Sequence, residues 1–563
     1  MIPDIQHILS SAKIVSFDIF DTLLLRPYID PQEVWRVLEK EENVPGFAAA
    51  RKEADAQTYR LSSKENRETT IEEAYALIPQ YQHLMQKEMD LERRVLTANP
   101  EMKALWDEVW LQGKKRVIVS DMYLSAEFIQ SVLRENGFDG WDGFYLSRDY
   151  NARKTTGKLF SIMLEKEHCR PEEVLHIGDN KHSDVDMPRT LGMQSQHYPK
   201  IASRFLELCP FAKKIDPIIA GALVLGWHMY SWNRSDLTYW HRLGFVMGGT
   251  LGYMYVKWMM EACRQNDLNR ILFVARDGYV WQKICKTLYP DFKTDYIYAP
   301  RMMSVAVLGA IGSDPGAIAD RQRYIETYLK DVDCEKIRKE YTDYISRFAI
   351  DEHTAISDGC SSGFSAQRLI EAGVGHKVFC FYLLAMAKVQ TGGALYQTNL
   401  YSMPWQMLSE FLFAAPTPPI KTLVGGEPVY SGETSEAEMF KVRLSEVIAE
   451  GAVACAKTFK TLGVEVTNEA WMTMFDAFRT NLTAEDEEYL DMAKNAADVE
   501  QKKFHNIVSP KPASWSMIRW HGIPLGAIIR RPDAIHEFFI SRTKGYVYKK
   551  KDLTYQSKVV NLK

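Results

Sequence analysis

Along most of this chain, short apolar runs end abruptly on an acid or a hydroxyl, and an amphipathic stretch follows. The first run is Ile14, Val15 and Phe17, which predicts a buried strand leading into Asp18 and then Asp21-Thr22. Residues 28 to about 110 break that rhythm. PQEVWRVLEKEE opens on Pro with an acidic first turn, and IEEAYALIPQYQHLMQKEMDLERRVL continues at helical spacing. A helical insertion with no strand inside it is expected there. The first pattern then resumes. GKKRVIVSDMYLSAEFIQSVLRENGF predicts strand, a Ser120-Asp121 turn and helix; SRDYNARKTTGKLFSIMLEKE places Lys154 and Lys158 just before or within a helix. VLHIGDNKHSDVDM predicts a strand followed by Asp179 and Asp184.

Residues 201–235 read as a connector: a Leu-rich helix, the basic KKIDP segment and a small apolar stretch. A second alternation covers 236–400. The most hydrophobic window, Leu243 to Ala262, holds several glycines, Lys257 and Glu261, so a buried helix is expected rather than a membrane span. NRILFVARDGYVWQKICKTL predicts strand, tight turn and helix, and TDYIYAPRMMSVAVL another strand ending at Arg301. HTAISDGCSSGFSAQRLIEAG predicts a strand, Asp358, a Gly/Ser loop and a helix, and HKVFCFYLLAM a further strand. Such alternation argues for parallel sheets covered on both faces, hence an α/β fold in both halves. Residues 401–563 form a helix-rich extension, a region for binding an acceptor. Helices are expected over EAEMFKVRLSEVIAEGAVACAKTFKTL and from Ala470 to Phe504. The basic end, SRTKGYVYKKKDLTYQSKVVNLK, reads as a solvated tail; peripheral contact with an acidic or membrane surface is the sharper reading.

Composition narrows the class. A chain of 563 residues is too long for one core and predicts two to four domains. A net charge of -4 carries no nucleic-acid signature. Eight cysteines occur without a CxxC pair, which predicts reduced thiols and a cytoplasmic protein. MIPDIQHILSSAK has no long apolar core, so no signal peptide is expected.

The chemistry sits at the strand ends. A carboxylate at the mouth of a buried parallel strand lies where open α/β sheets place their ligands, and Asp18 there would be a nucleophile. Ser120 follows a strand in a geometry that can hold an anion, and the oxygen-only pair Asp179 and Asp184 suits a hard cation such as Mg2+. Farther on, Ser357 to Leu369 gathers Gly359, Gly363, Ser361, Ser362 and Ser365 where a helix begins. Free backbone N–H groups and the helix dipole converge there on one point, a receptor for phosphate. Asp358 would meet sugar hydroxyls or a metal. A Ser-capped helix after a turn explains the same residues.

Over residues 12 to 200 the ordered set resembles the haloacid dehalogenase-like (HAD) superfamily. The resemblance implies Asp18 as nucleophile, Thr22, Ser120 and Lys154 as phosphate contacts, Asp179 and Asp184 as metal ligands, and the insertion as a cap over a domain spanning 1–200. It also implies the main-chain carbonyl of Phe20 near the metal. Phosphatases of that superfamily usually carry an acid where this chain has Phe20; Asp21, one place later, is the substitute catalytic acid this implies. Residues 236 to 400 resemble the type I phosphoribosyltransferases. Ser357-Asp358 stands for their acidic pair, Ser362-Gly363-Phe364-Ser365 for the 5-phosphate loop, and Ala275-Arg276-Asp277-Gly278 for the pyrophosphate loop. Arg301 is a further expected substrate contact. This chain keeps one acid of the pair and has Asp277 in place of a glycine.

Together the two resemblances imply a bifunctional enzyme like the HAD-containing proteins of bacterial O-antigen and capsule gene clusters. It would transfer phosphoribose from 5-phosphoribosyl pyrophosphate (PRPP) to a glycan or lipid-linked glycan acceptor, then remove the 5-phosphate to leave ribofuranose. The alternatives are a Mg2+-dependent phosphatase with a non-catalytic C-terminal binding domain, and a non-catalytic interaction protein with decayed sites.

Overall fold

The structure, a computed structural model, describes residues 9, 11–64, 67–310, 315–330, 332–361, 363–397, 405–432, 434–496 and 504–506. Ser362 and the basic C-terminal segment lie outside the described residues. The run expected as helix from Ala470 to Phe504 is helical only over Asn468–Thr480 and Ala484–Met492; Lys494–Ala496 instead pairs antiparallel with Phe504–Asn506. The chain divides into two compact units, Met1–Ser235 and Asp236–Lys563.

Strands of the first unit are β1 (Ile14–Phe17), β2 (Leu24–Leu25), β3 (Thr97–Ala98), β4 (Lys115–Ser120), β5 (Gly143–Leu146), β6 (Val174–Gly178) and β7 (Gln194–His197). Five of them form a parallel sheet in the order β5-β4-β1-β6-β7. Phe17 pairs with Ile118 on one side and Ile177 on the other, so β1 is central and buried throughout. Buried on both faces, it reads as an apolar run broken only by Ser16 rather than as an alternating one.

The helical insertion begins as expected but ends earlier. Helices Glu33–Glu42, Phe47–Lys64, Ile71–Ala76 and Met85–Val95 belong to it. Two short strands, contrary to expectation, frame it: β2 and β3 pair antiparallel, Leu24 with Ala98 and Leu25 with Thr97. Pro100–Leu111 is instead a helix of the sheet domain, capped by Asn99, with Trp106 buried 5.3 Å from the Phe17 ring and 5.7 Å from Phe138. Its apolar face, not its charge density, decides where it packs.

The expected connector is also part of this unit. Pro217–Ser231 is a fifteen-residue helix capped by the Asp216 carboxylate, and its His228 Nε2 lies 3.0 Å from Asn99 Oδ1. A stretch so uniformly apolar forms a helix buried on most of its sides rather than an exposed linker.

In the second unit, β8 (Arg270–Val274), β9 (Lys293–Ile297), β10 (Thr354–Ser361), β11 (Phe379–Ala385) and β12 (Gly392–Gln397) form a parallel sheet ordered β12-β11-β10-β8-β9. The window from 243 is buried: Tyr239–Leu243, a π turn at Gly244–Gly248 and Gly249–Gln265 run on as helix. Arg301 does not end a strand. It opens the helix Arg301–Leu308, because β9 stops at Ile297 and Pro300 stands in extended conformation just ahead of the helix. The extension contributes a hairpin, Ile420–Val424 with Glu427–Tyr430, and the expected helix Glu436–Leu462. No helix among the described residues is long and apolar enough to cross a membrane.

Each sheet has one place where the chain reverses its direction of travel across the strands. In the first it lies between β1 and β6, in the second between β8 and β10. Open α/β sheets bind ligands beyond the strand ends at that point.

Candidate active site

β1 ends by delivering Asp18, whose backbone N–H donates to Ile177 O at 2.9 Å and so ties it to β6 across the switch point. Ser120, the last residue of β4, donates its hydroxyl to Asp18 Oδ1 at 2.8 Å. Lys154 Nζ lies 2.6 Å from that same oxygen and 2.6 Å from Asp184 Oδ1. Lys158, the other lysine of that segment, is exposed. Gly178 makes room for this packing: a Cβ there would stand 2.5 Å from Asp184 Cγ.

The charges are unevenly matched. Burial pushes the Asp18 carboxyl above its ordinary range, and Lys154 works against it. Burial acts on Asp184 in the same sense, but the Lys154 ammonium and His176 outweigh it and hold that group below the usual carboxylate range. Burial lowers the proton affinity of Lys154, yet Asp18 and Asp184 together keep it firmly charged. Asp179 is left over. Burial and the nearby Asp18 push it up to about 7, although Lys200 Nζ lies 3.3 Å from its Oδ2.

One oxygen each from Asp18, Asp179 and Asp184 lie within 4.8 Å of one another. Oxygen donors carrying negative charge at short mutual distance fit a hard divalent cation such as Mg2+. Thr22 is fully buried, and its hydroxyl has no hydrogen-bond partner among the described residues. An unmade hydrogen bond of this kind costs about 1–3 kcal/mol, which a bound oxyanion would relieve.

Asp21 sits in left-handed backbone (φ 54) and turns its Oδ2 to Lys200 at 2.7 Å. Phe20 lies under Arg26, whose Cζ is 4.2 Å from the ring centroid. Three more residues belong to the site. His176 Nε2 lies 3.2 Å from Asp184 Oδ1, and its Nδ1 lies 2.8 Å from Ser16 Oγ. Asp121 accepts from the Lys154 backbone N–H at 2.8 Å, and burial pushes its carboxyl up to about 6. Lys200 comes from beyond β7. A histidine inside the apolar run VLHIG is a readable signal; Lys200 has none.

The second switch point brings together Asp277, after β8, and Asp358, inside β10. A Cβ on Gly359 would lie 1.9 Å from Asp277 Oδ2, so only glycine admits that carboxylate. Asp277 has no hydrogen-bond partner among the described residues; burial and the charges of Asp358 and Glu410 push it up to about 7. Burial pushes Asp358 up to about 6, and it accepts from the Gly359 N–H at 2.9 Å. Two non-glycine residues there adopt left-handed backbone, Arg276 (φ 77) and Phe364 (φ 53). Such conformations cost roughly 1–3 kcal/mol each and gather at functional sites.

Around the helix Ser365–Val374, Ser361 Oγ accepts from Phe364 N at 2.9 Å, and Ser365 Oγ accepts from Arg321 Nη2 at 2.8 Å. Gly363 borders this group, with Arg321 the nearest side chain to it. Burial, then the charge of Arg276, depresses the Arg301 guanidinium; burial, then Arg301 and Arg368, depresses Arg321. Positive charge is thus crowded around the loop. Arg276 itself is ion-paired with buried Glu438, from the helix Glu436–Leu462, and Gly278 is buried behind it against Phe273. Neither Arg321 nor Glu438 follows a strand, and this hid both from the sequence pattern.

The sequence matches no family model and no curated protein. Among solved structures, the chain is similar to a HAD-hydrolase, YfnB from Bacillus subtilis bound to magnesium, at 21% identity. That alignment covers 33% of this chain and 85% of that one, with a TM-score of 0.25. An L-2-haloacid dehalogenase from Xanthobacter autotrophicus is similar at 19% identity over 35% of this chain and 82% of that one, with a TM-score of 0.27. Likeness at that level fixes neither mechanism nor substrate.

Proposed function

We propose that the first unit is a Mg2+-dependent, HAD-type phosphomonoester hydrolase that works through a covalent phosphate on Asp18. The observation that carries this reading is the convergence of the Ser120 hydroxyl and the Lys154 ammonium on one oxygen of a buried carboxylate at the switch point. Asp18 would attack phosphorus, forming its own O–P bond as the ester P–O bond breaks. Ser120, Lys154 and the unpartnered Thr22 hydroxyl then hold the phosphoryl oxygens as charge builds on them. Water cleaves the acyl phosphate, releasing inorganic phosphate and restoring the carboxylate. Asp18, Asp179 and Asp184 would hold Mg2+, which when bound neutralises the phosphoryl charge. Phe20 cannot protonate the leaving oxygen, and Asp21 is engaged with Lys200, so solvent supplies that proton.

The second unit, on this reading, binds PRPP and transfers phosphoribose to a glycan or lipid-linked glycan acceptor. The first unit then trims the 5-phosphate to leave ribofuranose, as in the assembly of a bacterial surface polysaccharide. The crowded arginines, the helix N-terminus at Ser365 and the Asp277–Asp358 pair support it: phosphates need fixed donors, and ribose hydroxyls need carboxylates. One observation favours a binding-only second unit with a single hydrolase. Arg276, expected on the pyrophosphate, already has its charge matched by Glu438.

Two assays decide between them. Asp18→Asn should abolish Mg2+-dependent phosphate release with circular dichroism unchanged; release at the wild-type rate overturns the hydrolase. Pyrophosphate release from PRPP in the presence of glycan acceptors marks a working second unit, and its absence leaves the hydrolase alone.

A further inference from the structure

Arg26 is a buried cation of the first unit to which the hydrolase gives no role. Its side chain is only 8% exposed, and its Nε donates to Glu92 Oε2 at 2.9 Å. Its two Nη groups have no hydrogen-bond partner among the described residues, and neither is sealed from solvent. A guanidinium this buried, with its fork unmatched, wants oxygen acceptors.

Its ring contact ties it to the segment that follows the nucleophile. The guanidinium lies on the Phe20 ring, two residues after Asp18. Tyr123, three residues after Ser120, shares an electrostatic environment with Arg26, Arg51, Glu88 and Glu92. The Tyr123 hydroxyl likewise has no hydrogen-bond partner among the described residues. Unmatched donors thus come from the segment that follows β2 and from the loop after β4, whose last residue, Ser120, donates to Asp18.

The charges say what kind of ligand fits. Arg26 is paired with Glu92, and Arg51 with Glu88 through Nε and Nη2 at 3.0 Å each. Each cation is already neutralised by a buried carboxylate. A second anion on the substrate would have to compete with those acids, whereas hydroxyls can accept from a guanidinium and donate to a carboxylate at once.

Resting on the hydrolase reading above, we infer that Arg26 and Tyr123 bind the leaving-group side of the substrate, and that this side is a neutral polyol: the phosphomonoester of a sugar. Both residues determine specificity and transfer no proton to the reacting atoms.

The test compares three substrates on the full chain with Mg2+: methyl ribofuranoside 5-phosphate, n-pentyl phosphate and p-nitrophenyl phosphate. The first two share a primary-alkoxide leaving group and differ in hydroxyls. Wild-type protein should favour the ribofuranoside over pentyl phosphate by about 100-fold in kcat/KM, the worth of two or three hydrogen bonds. Tyr123→Phe, which keeps the ring, and Arg26→Gln paired with Glu92→Gln, which leaves no buried charge unmatched, should each lower that ratio about tenfold. A wild-type ratio near one, or a ratio unmoved in both variants, overturns the inference. Turnover of p-nitrophenyl phosphate without any ribofuranoside preference overturns it while the hydrolase stands. No phosphate from any of the three means the hydrolase reading has failed and takes this one with it.

Discussion

Lys154 Nζ and Asp18 Oδ1 lie 2.6 Å apart, with only 4% and 8% of their side chains exposed. A second carboxylate, Asp184, stands at the same distance from the ammonium, so one buried cation is shared between two buried acids. Taking away one member of a buried charge group leaves the rest uncompensated, at about 3–5 kcal/mol. Lys154→Met should therefore lower thermal stability by an amount in that range as well as stop phosphate release. Mg2+ supplies the missing charge, so millimolar Mg2+ should restore more stability to the variant than it adds to wild type. Equal Mg2+ effects on both proteins would show that Lys154 does not share the carboxylates with the ion.

Mg2+ should stabilise the wild-type protein by about 2.7 kcal/mol at a hundred times its dissociation constant. Asp179 carries a proton up to about pH 7 and must lose it to act as a ligand. Stabilisation by Mg2+ should accordingly grow as pH rises through 7, and Asp179→Asn should remove most of it. Differential scanning fluorimetry across pH with and without the ion reads both effects.

His228 provides a pH response remote from the nucleophile. Burial, then the charge of Arg204, depresses its imidazole from 6.5 to about 4. The unfolded chain takes up that proton near 6.5 while the folded one refuses it until about 4. Stability from this group is therefore intact above 6.5 and lost as pH falls toward 4, by up to about 3 kcal/mol. His228→Gln should flatten the fall in urea midpoint between pH 6.5 and 4.

Asp277 has the opposite sign. Its folded value near 7 lies above that of an ordinary carboxylate. Its contribution is present at low pH and lost as pH rises toward 7. At pH 8, Asp277→Asn should stabilise the second unit by about 1–2 kcal/mol, because the charged form no longer has to be held beside Asp358. The same variant should lose any PRPP-dependent pyrophosphate release. A stable but inactive variant would identify Asp277 as an acid retained for function.

The sequence revealed what is local and hid what is assembled at a distance. Asp18, Ser120, Lys154, Asp179 and Asp184 were readable because each stands at or just beyond the end of an apolar run, or at the start of a helix. Lys200, Glu92 and Glu438 were not, since each reaches its partner from an element far away in the chain, and nothing in a charged helix tells which glutamate turns inward. The far end of the insertion is hidden in the sequence for a related reason. PEMKALWDEVWL is as charged as the helices before it, and only the burial of Trp106 against Phe17 assigns it to the sheet. Apolar residues continuing past Arg301 suggest a strand there, but Pro300 in extended conformation marks the boundary.

The paired strands β2 and β3 give the two ends of the insertion a common doorway. Leu24 faces Ala98 and Leu25 faces Thr97, so the chain leaves the sheet domain and re-enters it at neighbouring points. An excursion that begins and ends in one place imposes little geometry on its host, since closing a longer loop adds only a slowly growing entropic penalty. The helices that carry Arg51, Glu88 and Glu92 can thus be lengthened, shortened or exchanged for others while β1, β4 and β6 go on presenting Asp18, Ser120 and Asp179 in the same register. On the hydrolase reading, selectivity and reactivity would then be able to change separately in such a chain: one could drift while the other stands still.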